Sequence, residues 1–267
     1  MMTKEAYNFK IKNILDYNKM TMKDFNELPL LSGIYPFNTK RFSFDLICIK
    51  NDDSSVVNFF WKGHHDLKSL DLWGDITKDK GLYIDVGAHT GLYTIVGLLS
   101  NPENVVISIE PSFLNMGRLI SNLRLNGLFK NNSRFLGAVS KVSGQGFFQL
   151  HRDFSFMSKG GLLSDKGERV NVIKLDDIQI NDENKIIRGL KIDTEGEDYN
   201  VLLGAENVIK NFKPQIIIEV RNENKENIQD FLKLFNYKFY LPEDIKTPVN
   251  LNELDISNVE NIYAKVN

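Results

Sequence analysis

A doubly wound α/β fold built on a largely parallel sheet is what three features of the sequence predict. Short, continuously apolar β runs recur from about residue 80 onward, helical stretches separate them, and several of the runs end on an acidic residue. Continuous apolar strands suit a sheet covered on both faces, and their alternation with helices suits successive right-handed crossovers.

The elements follow in order. Residues 4–31 are mixed and weakly helical, with Leu15, Met20, Met22, Phe25 and Leu28 as buried positions. Phe42–Ile49 partly alternates, and Val56–Trp61 follows after the turn formers Asn51 to Ser55, so the two read as strands of a β-hairpin. Residues 1–79 are therefore expected to be an N-terminal helical and β-hairpin extension, and residues 80–267 the main domain. In that domain the strands are Leu82–Val86, Val105–Ile109, Phe135–Val139, Leu190–Ile192 and Ile216–Val220. Helices are expected near Gly91–Leu99, Ser112–Asn126, Asp198–Asn211 and Asn224–Phe235, because a parallel crossover needs about a dozen residues or more. Phe147–Leu150 and Arg169–Val172 look like short strands around a loop, Ser155 to Gly167, placed where a substrate loop would sit. Tyr237–Tyr240 and Ile262–Val266 read as a closing antiparallel pair.

Composition narrows the function. The chain has 267 residues, a formal net charge of -2 and a pI near 6.1, so it has no general field for phosphate backbones and nucleic acid is not an expected partner. Cys48 is the only cysteine, which excludes an internal disulfide and a Cys-rich metal site. No run approaches the roughly 20 apolar residues of a membrane span, and Met1 to Met20 lacks an unbroken apolar stretch of the signal-peptide kind. A cytoplasmic protein is the expectation.

Chemistry concentrates at strand tips. The segment Tyr83-Ile84-Asp85-Val86-Gly87-Ala88-His89-Thr90-Gly91 is an apolar strand, a glycine turn and a helix start. Glycines admit a ligand close to backbone, and a helix N-terminus offers unpaired N–H groups. Its Gly-x-x-x-Gly spacing lacks the signatures of dinucleotide folds and phosphate loops. Glu110, before Pro111, ends the next strand, where a carboxylate can accept both ribose hydroxyls of an adenosine, while Asp85 can face the cationic end of S-adenosylmethionine. Further along, Lys191, Asp193 and Glu195 alternate, so an extended strand would place them on one face. Asp193 or Glu195 could act as a general base or help anchor a divalent ion. Alternatively, Lys191 neutralises Asp193 while Glu195 and Glu197 favour the following helix start. Glu219 either lines the same cleft or pairs with Arg221, and Asp176-Asp177 could cap a short helix. His64, His65, His89 and His151 have no metal-ligand spacing; His89 lies inside the turn, and His64 and His65, upstream of the first core strand, could reach the cleft.

With Ile-Glu-Pro at 109–111, Leu-Asp-Asp at 175–177, Leu-Lys-Ile-Asp-Thr-Glu-Gly-Glu at 190–197 and Val-Leu-Leu-Gly-Ala at 201–205, the chain resembles the FkbM-type methyltransferases, a class I S-adenosylmethionine-dependent family, over about Leu82 to Val220. The resemblance implies a Rossmann-like seven-stranded sheet with an antiparallel last strand. It implies S-adenosyl-L-methionine as cofactor, S-adenosyl-L-homocysteine as product, and usually O-methylation of a sugar or polyketide-like hydroxyl, so the partner is a small-molecule or glycan acceptor. Carried over by position, Asp85, Gly87 and Gly91 would hold the methionine end and Glu110 the ribose, with Ala88, His89, Thr90, Pro111 and Ala138 as further cofactor contacts. Asp193 would lie near the reaction centre, with Glu195 as the other catalytic candidate; no metal ligand is assigned, and a homodimer is compatible. Two rival readings compete: a nicotinamide-dependent oxidoreductase, disfavoured by the glycine spacing, and a non-catalytic cofactor-binding or assembly module.

Overall fold

The computed structural model describes residues 4–13, 15–20, 24, 27–150, 161–179, 186–256 and 261–266. Its main sheet is built by β3 (Leu82–Val86), β4 (Val105–Glu110), β5 (Asn132–Leu136), β10 (Ile187–Ile192), β11 (Gln215–Glu219), β12 (Tyr237–Leu241), β13 (Asp244–Val249) and β14 (Asn261–Val266). The spatial order is β13-β12-β14-β11-β10-β3-β4-β5. The five strands from β5 to β11 pair in parallel, and β14 inserts antiparallel between β11 and β12. The sheet thus has eight strands rather than the expected seven, because β13 adds an edge strand to β12 through a hairpin. Strand order reverses between β3 and β10, and in open α/β sheets that switch point is where ligands bind.

Helices α4 (Leu92–Ser100), α5 (Phe113–Leu125), α6 (Asp198–Leu203), α7 (Glu206–Phe212) and α8 (Lys225–Lys233) occupy the expected positions, with Ser112 capping α5 through Asn115 N–H. The helix expected over Asp198–Asn211 is two helices. A Cβ on Gly204 would lie 2.3 Å from the Ser140 carbonyl oxygen, so glycine lets that strand end approach, and the chain breaks there. Asp176 then accepts the backbone N–H groups of Asn207 and Val208 at 3.1 and 3.0 Å, capping α7 from a distant segment. The run Phe135–Val139 also divides, at Gly137: β5 stays in the main sheet and β6 (Ala138–Val139) starts a second one. That four-stranded sheet, β6-β9-β7-β8, contains β7 (Gly144–Leu150), β8 (Gly161–Ser164) and β9 (Glu168–Ile173).

The N-terminal hairpin is real, but its partner differs from the expected one. β2 (Ser43–Ile49) pairs with β1 (Ser32–Asn38), and the run Val56–Trp61 lies in a helix, α2 (Ser54–Lys62). Gly33 and Pro36 disguised β1; a two-stranded edge tolerates both. Asp53, read as part of a turn between strands, is the N-cap of α2 and accepts Val56 N–H at 3.0 Å. Gly63 ends the helix in the left-handed conformation, and Val56, Val57 and Trp61 bury one face. Asp53→Ala should cost about 1 kcal/mol of stability in chemical denaturation, the usual size of a lost cap.

The described N-terminal residues also include α1 (Lys4–Lys12) and α3 (Leu67–Ile76). Leu28 is buried, Leu15 is exposed and Met20 is partly buried; Met22 and Phe25 lie outside the described residues. This region packs into one core with a face of the main sheet, where Phe37, Phe44, Trp61 and Trp73 join Tyr83, Ile95 and Leu119. The free edge of β2 is closed by α5 side chains: Asn126 bonds Asp45 N–H and C=O, while Asn122 and Arg118 bond Ile47 N–H and C=O. The other sheet face is covered by α6, α7 and α8 around Leu190, Ile192, Ile216 and Leu232. Among the described residues, no helix is long and apolar enough to cross a membrane.

Candidate active site

A cavity of about 280 Å³ opens at the C-terminal ends of β3, β4, β10 and β11. Parallel register places Asp85 beside Lys191 and Val86 beside Ile192 across the switch point. The glycine turn that follows is held from both sides. Gly87 and Ala88 donate their N–H groups to the Ile109 carbonyl at 2.9 and 3.0 Å, and Asp193 N–H donates to the Val86 carbonyl at 3.0 Å. Gly87 has φ +77, and a Cβ there would stand 1.8 Å from the Asp193 carbonyl oxygen. The glycine therefore serves the close packing of β3 against the end of β10, the same feature that brings Asp193 to the cavity.

Asp85 is buried, and its Oδ2 accepts the Thr94 hydroxyl at 2.6 Å; Thr94 in turn meets Ser108 at 2.7 Å. Burial pushes the Asp85 carboxyl up to about 6, against the pull of Thr94 and Lys191. Glu110, also buried, accepts the backbone N–H of His89 on one oxygen and the N–H of Ser112, with Asn115 Nδ2, on the other. Burial raises its pKa as well. A carboxylate offers about four acceptor directions, so these three donors leave one for a ligand hydroxyl.

Of the cofactor positions expected from sequence, Asp85, Gly87, Ala88, His89, Glu110, Pro111 and Ala138 line this cavity. Thr90 and Gly91 stand behind its wall: the Thr90 carbonyl accepts Asn122 Nδ2, and Gly91 packs against Leu119 while starting α4.

The acidic strand end behaves differently from an extended strand. Lys191 and Asp193 meet, Nζ to Oδ2, at 3.1 Å, but β10 ends at Ile192 and Glu195 adopts φ +54. Asp198 causes that turn, since its carboxylate gathers Thr194 N–H, the Thr194 hydroxyl and Gly196 N–H. Glu195 thereby leaves the shared face and pairs with Arg221, which also bonds both oxygens of Glu219 at 3.2 Å. Glu219 lines the cavity, so both alternatives for that residue hold together. Burial, with Asp193 and Asp198 nearby, holds its carboxyl above the usual carboxylate range despite Arg221. Glu197 bonds Ser140 and Asn200 at 3.0 Å. Both catalytic candidates line the cavity and both are ion-paired: the side chain of Asp193, 42% exposed, meets Lys191, and that of Glu195, 32% exposed, meets Arg221.

Sequence reasoning missed several contributors. Ser54, Ser55 and Asp66, from the N-terminal region, line the cavity together with Tyr93 and Asn261, whereas His65, also at the cavity, is one of the two histidines that the sequence put forward for it. No motif marks the others; only the shared core brings them there. From the expected substrate loop, Gly161 and Leu163 reach the cavity beside Phe148, whereas residues 155–160 and His151 lie outside the described residues. Among the described residues no cluster of three or more His, Cys, Asp or Glu is arranged to hold a metal ion.

Comparison with known proteins agrees with this geometry. Residues 85–240, more than half of the chain, match the methyltransferase FkbM domain. The chain belongs to the FkbM methyltransferase domain family. No curated protein matches it. Among solved structures, the FkbM methyltransferase from Methylobacillus flagellatus superposes with TM-score 0.50 at 16% identity, over 79% of this chain and 52% of that one. The SAM-dependent methyltransferase from Agrobacterium tumefaciens superposes with TM-score 0.50 at 9% identity, over 89% and 71%. Those identities speak for a shared fold alone, and this FkbM chain spans about half the length of its Methylobacillus relative. The matched residues start at Asp85 and stop at Tyr240, so the N-terminal wall of the cavity lies outside the family match.

Proposed function

We propose that this FkbM-family protein transfers a methyl group from S-adenosylmethionine to a hydroxyl of a small-molecule or glycan acceptor. The observation that carries the reading is the convergence of Asp85, Glu110 and Asp193 on one cavity at the switch point. The residues fit the cofactor: Glu110 has an acceptor direction left for a ribose hydroxyl, Asp85 supplies a buried anion for the cationic methionine end, and Ile109, Ala138 and Val139 offer apolar contact for a base. When bound, S-adenosylmethionine supplies an electrophilic methyl group. The task of the chain is then to align an acceptor oxygen and accept its proton. Asp193 suits the second role, since its carboxylate reaches the cavity and Lys191 fixes its direction.

The charge of the cavity narrows the acceptor. Carboxylates of Asp66, Asp85, Glu110, Asp193, Glu195, Glu197 and Glu219 line it, and among the described residues the one lining ammonium, Lys191, is already bonded to Asp193 and Asn261. An acceptor bearing phosphate or carboxylate would face repulsion, so an uncharged one is favoured.

Calorimetry with S-adenosylhomocysteine, followed by transfer of labelled methyl to a panel of neutral and phosphorylated hydroxyl compounds, tests the reading. Binding and transfer to neutral members are expected. Asp193→Asn should retain binding while turnover falls by roughly 10²–10⁴-fold, the usual contribution of a general base. Binding without transfer to any panel member would favour a non-catalytic module instead.

A further inference from the structure

Lys191 is 1% exposed, and an ammonium so deeply buried needs every donor directed. Its Nζ bonds Asp193 Oδ2 at 3.1 Å and Asn261 Oδ1 at 2.9 Å, approaches the Ile192 carbonyl at 3.4 Å, and lies 4.8 Å from the centre of the Tyr93 ring. Asn261 and Tyr93 are themselves held by one residue. Asn261 Nδ2 donates to Asp66 Oδ1 and Oδ2 at 3.2 and 3.3 Å, and the Tyr93 hydroxyl donates to Asp66 Oδ2. Asp66 precedes α3 with φ +50, a left-handed conformation that Asp and Asn tolerate better than most residues.

We propose that Asp66 is a positioning residue of the methyl-transfer site, by which the N-terminal region sets the geometry and charge of the Lys191–Asp193 pair. The proposal rests on the reading of Asp193 as the base. Because the amide nitrogen of Asn261 is tied to Asp66, its oxygen must face Lys191. Because the Tyr93 hydroxyl is tied to the same carboxylate, its ring stays beside the ammonium. Asp66 also places a second negative charge near Lys191, so the ammonium is shared rather than committed wholly to Asp193. Burial lowers the pKa of Lys191, but Asp193 and Asp66 outweigh it and hold that pKa above the ordinary lysine value. The groups facing the pair are therefore Asp85 from β3, Tyr93 from α4, Asp198 from α6, Glu219 from β11, Asn261 from β14 and Asp66 ahead of α3.

Asp66→Asn keeps shape and backbone tolerance while removing the charge; Asp66→Ala removes the tether as well. Both should bind S-adenosylhomocysteine within about threefold of wild type, because Asp66 touches none of Asp85, Glu110 or the glycine turn through a hydrogen bond. With an acceptor from the panel, Asp66→Asn should lower kcat about tenfold at nearly unchanged acceptor KM. A readout that needs no acceptor is 15N NMR of the Lys191 ammonium, assigned by its loss in Lys191→Met and recorded with and without S-adenosylhomocysteine. Its hydrogen exchange should quicken at least tenfold in Asp66→Ala. Unchanged ammonium exchange would overturn the proposal whether or not methyl transfer is found. An unchanged kcat in Asp66→Asn would overturn it where transfer occurs. Absence of transfer with altered ammonium exchange would refute the function and leave the positioning intact.

Discussion

Gly87→Ala is expected to abolish S-adenosylhomocysteine binding and to destabilise the protein by about 3 kcal/mol or more. Two independent costs combine. The residue sits at φ +77, where an L side chain pays roughly 1–2 kcal/mol. The added methyl would also stand 1.8 Å from a backbone oxygen, Asp193 O, which cannot swing away as a side-chain tip could. Relief requires β3 and the end of β10 to part, and that gap carries both the cofactor turn and Asp193. A fall in melting temperature of roughly 5–10 °C is the thermal counterpart. Gly63, also at positive φ but with nothing within 4 Å of its would-be Cβ, is the control: its alanine variant should keep ligand binding. Normal binding by Gly87→Ala would show that the turn is not the cofactor cradle.

Asp85→Asn should separate stability from function. Burial raises the Asp85 carboxyl to about 6, against about 3.9 in an unfolded chain. A group whose folded value is raised contributes stability that is complete below the unfolded value and lost as pH rises through the folded one. The ligand-free protein should therefore lose about 3 kcal/mol from this residue between pH 4 and pH 7, an order-of-magnitude figure at 1.36 kcal/mol per unit. Asparagine keeps the Thr94 hydrogen bond without the buried charge. At pH 7 the variant should melt higher than wild type, yet bind S-adenosylhomocysteine about 100-fold more weakly, because the anion facing the methionine end is gone. For wild type, affinity should decline as pH falls through about 6. Thermal melts and calorimetry at pH 5 and pH 7.5 measure both halves. A variant that melts lower and binds normally would assign Asp85 to structure alone.

Such residues persist because a site needs groups that the fold would rather neutralise. Asp85, Glu110 and Glu219 all carry pKa values raised by burial, and all line one cavity. Perturbed acids at a switch point are what a ligand site leaves visible in a structure.

What could be read from the chain, and what could not, follows from the range of the interactions. The parallel strands β3, β4, β10 and β11 were legible because an apolar run buried on both faces writes itself into consecutive residues, and the turn at 87–91 because backbone geometry demands glycine locally. Asp85, Glu110 and Asp193 were legible for a related reason: an acid at the end of an apolar strand has a position dictated by the strand. Errors arose where a distant partner decided the outcome. Val56–Trp61 has the composition of a strand, and the cap at Asp53 with burial against Tyr17 and Phe9 made it a helix. Glu195 was expected beside Asp193 by strand alternation, and Asp198 folded the backbone into a turn that delivers Glu195 to Arg221. Gly204 and Gly137 interrupt elements because another segment's carbonyl, that of Ser140 and of Asn171 respectively, needs the space.

The sequence by itself thus determined the wall of the cavity built by β3, its glycine turn and β4, proposed above as the cofactor side, since strand, turn and acid are neighbours along the chain and each constrains the next. The opposite wall was decided only by tertiary structure. Asp66, Tyr93, Lys191 and Asn261 span from the N-terminal region to the last strand, and no local pattern links a residue at position 66 to one at 261. They meet because the N-terminal region shares one apolar core with a face of the sheet, and the hydrophobic effect that drives that packing is non-directional: it leaves a record of which residues are buried and none of which polar groups are carried into contact.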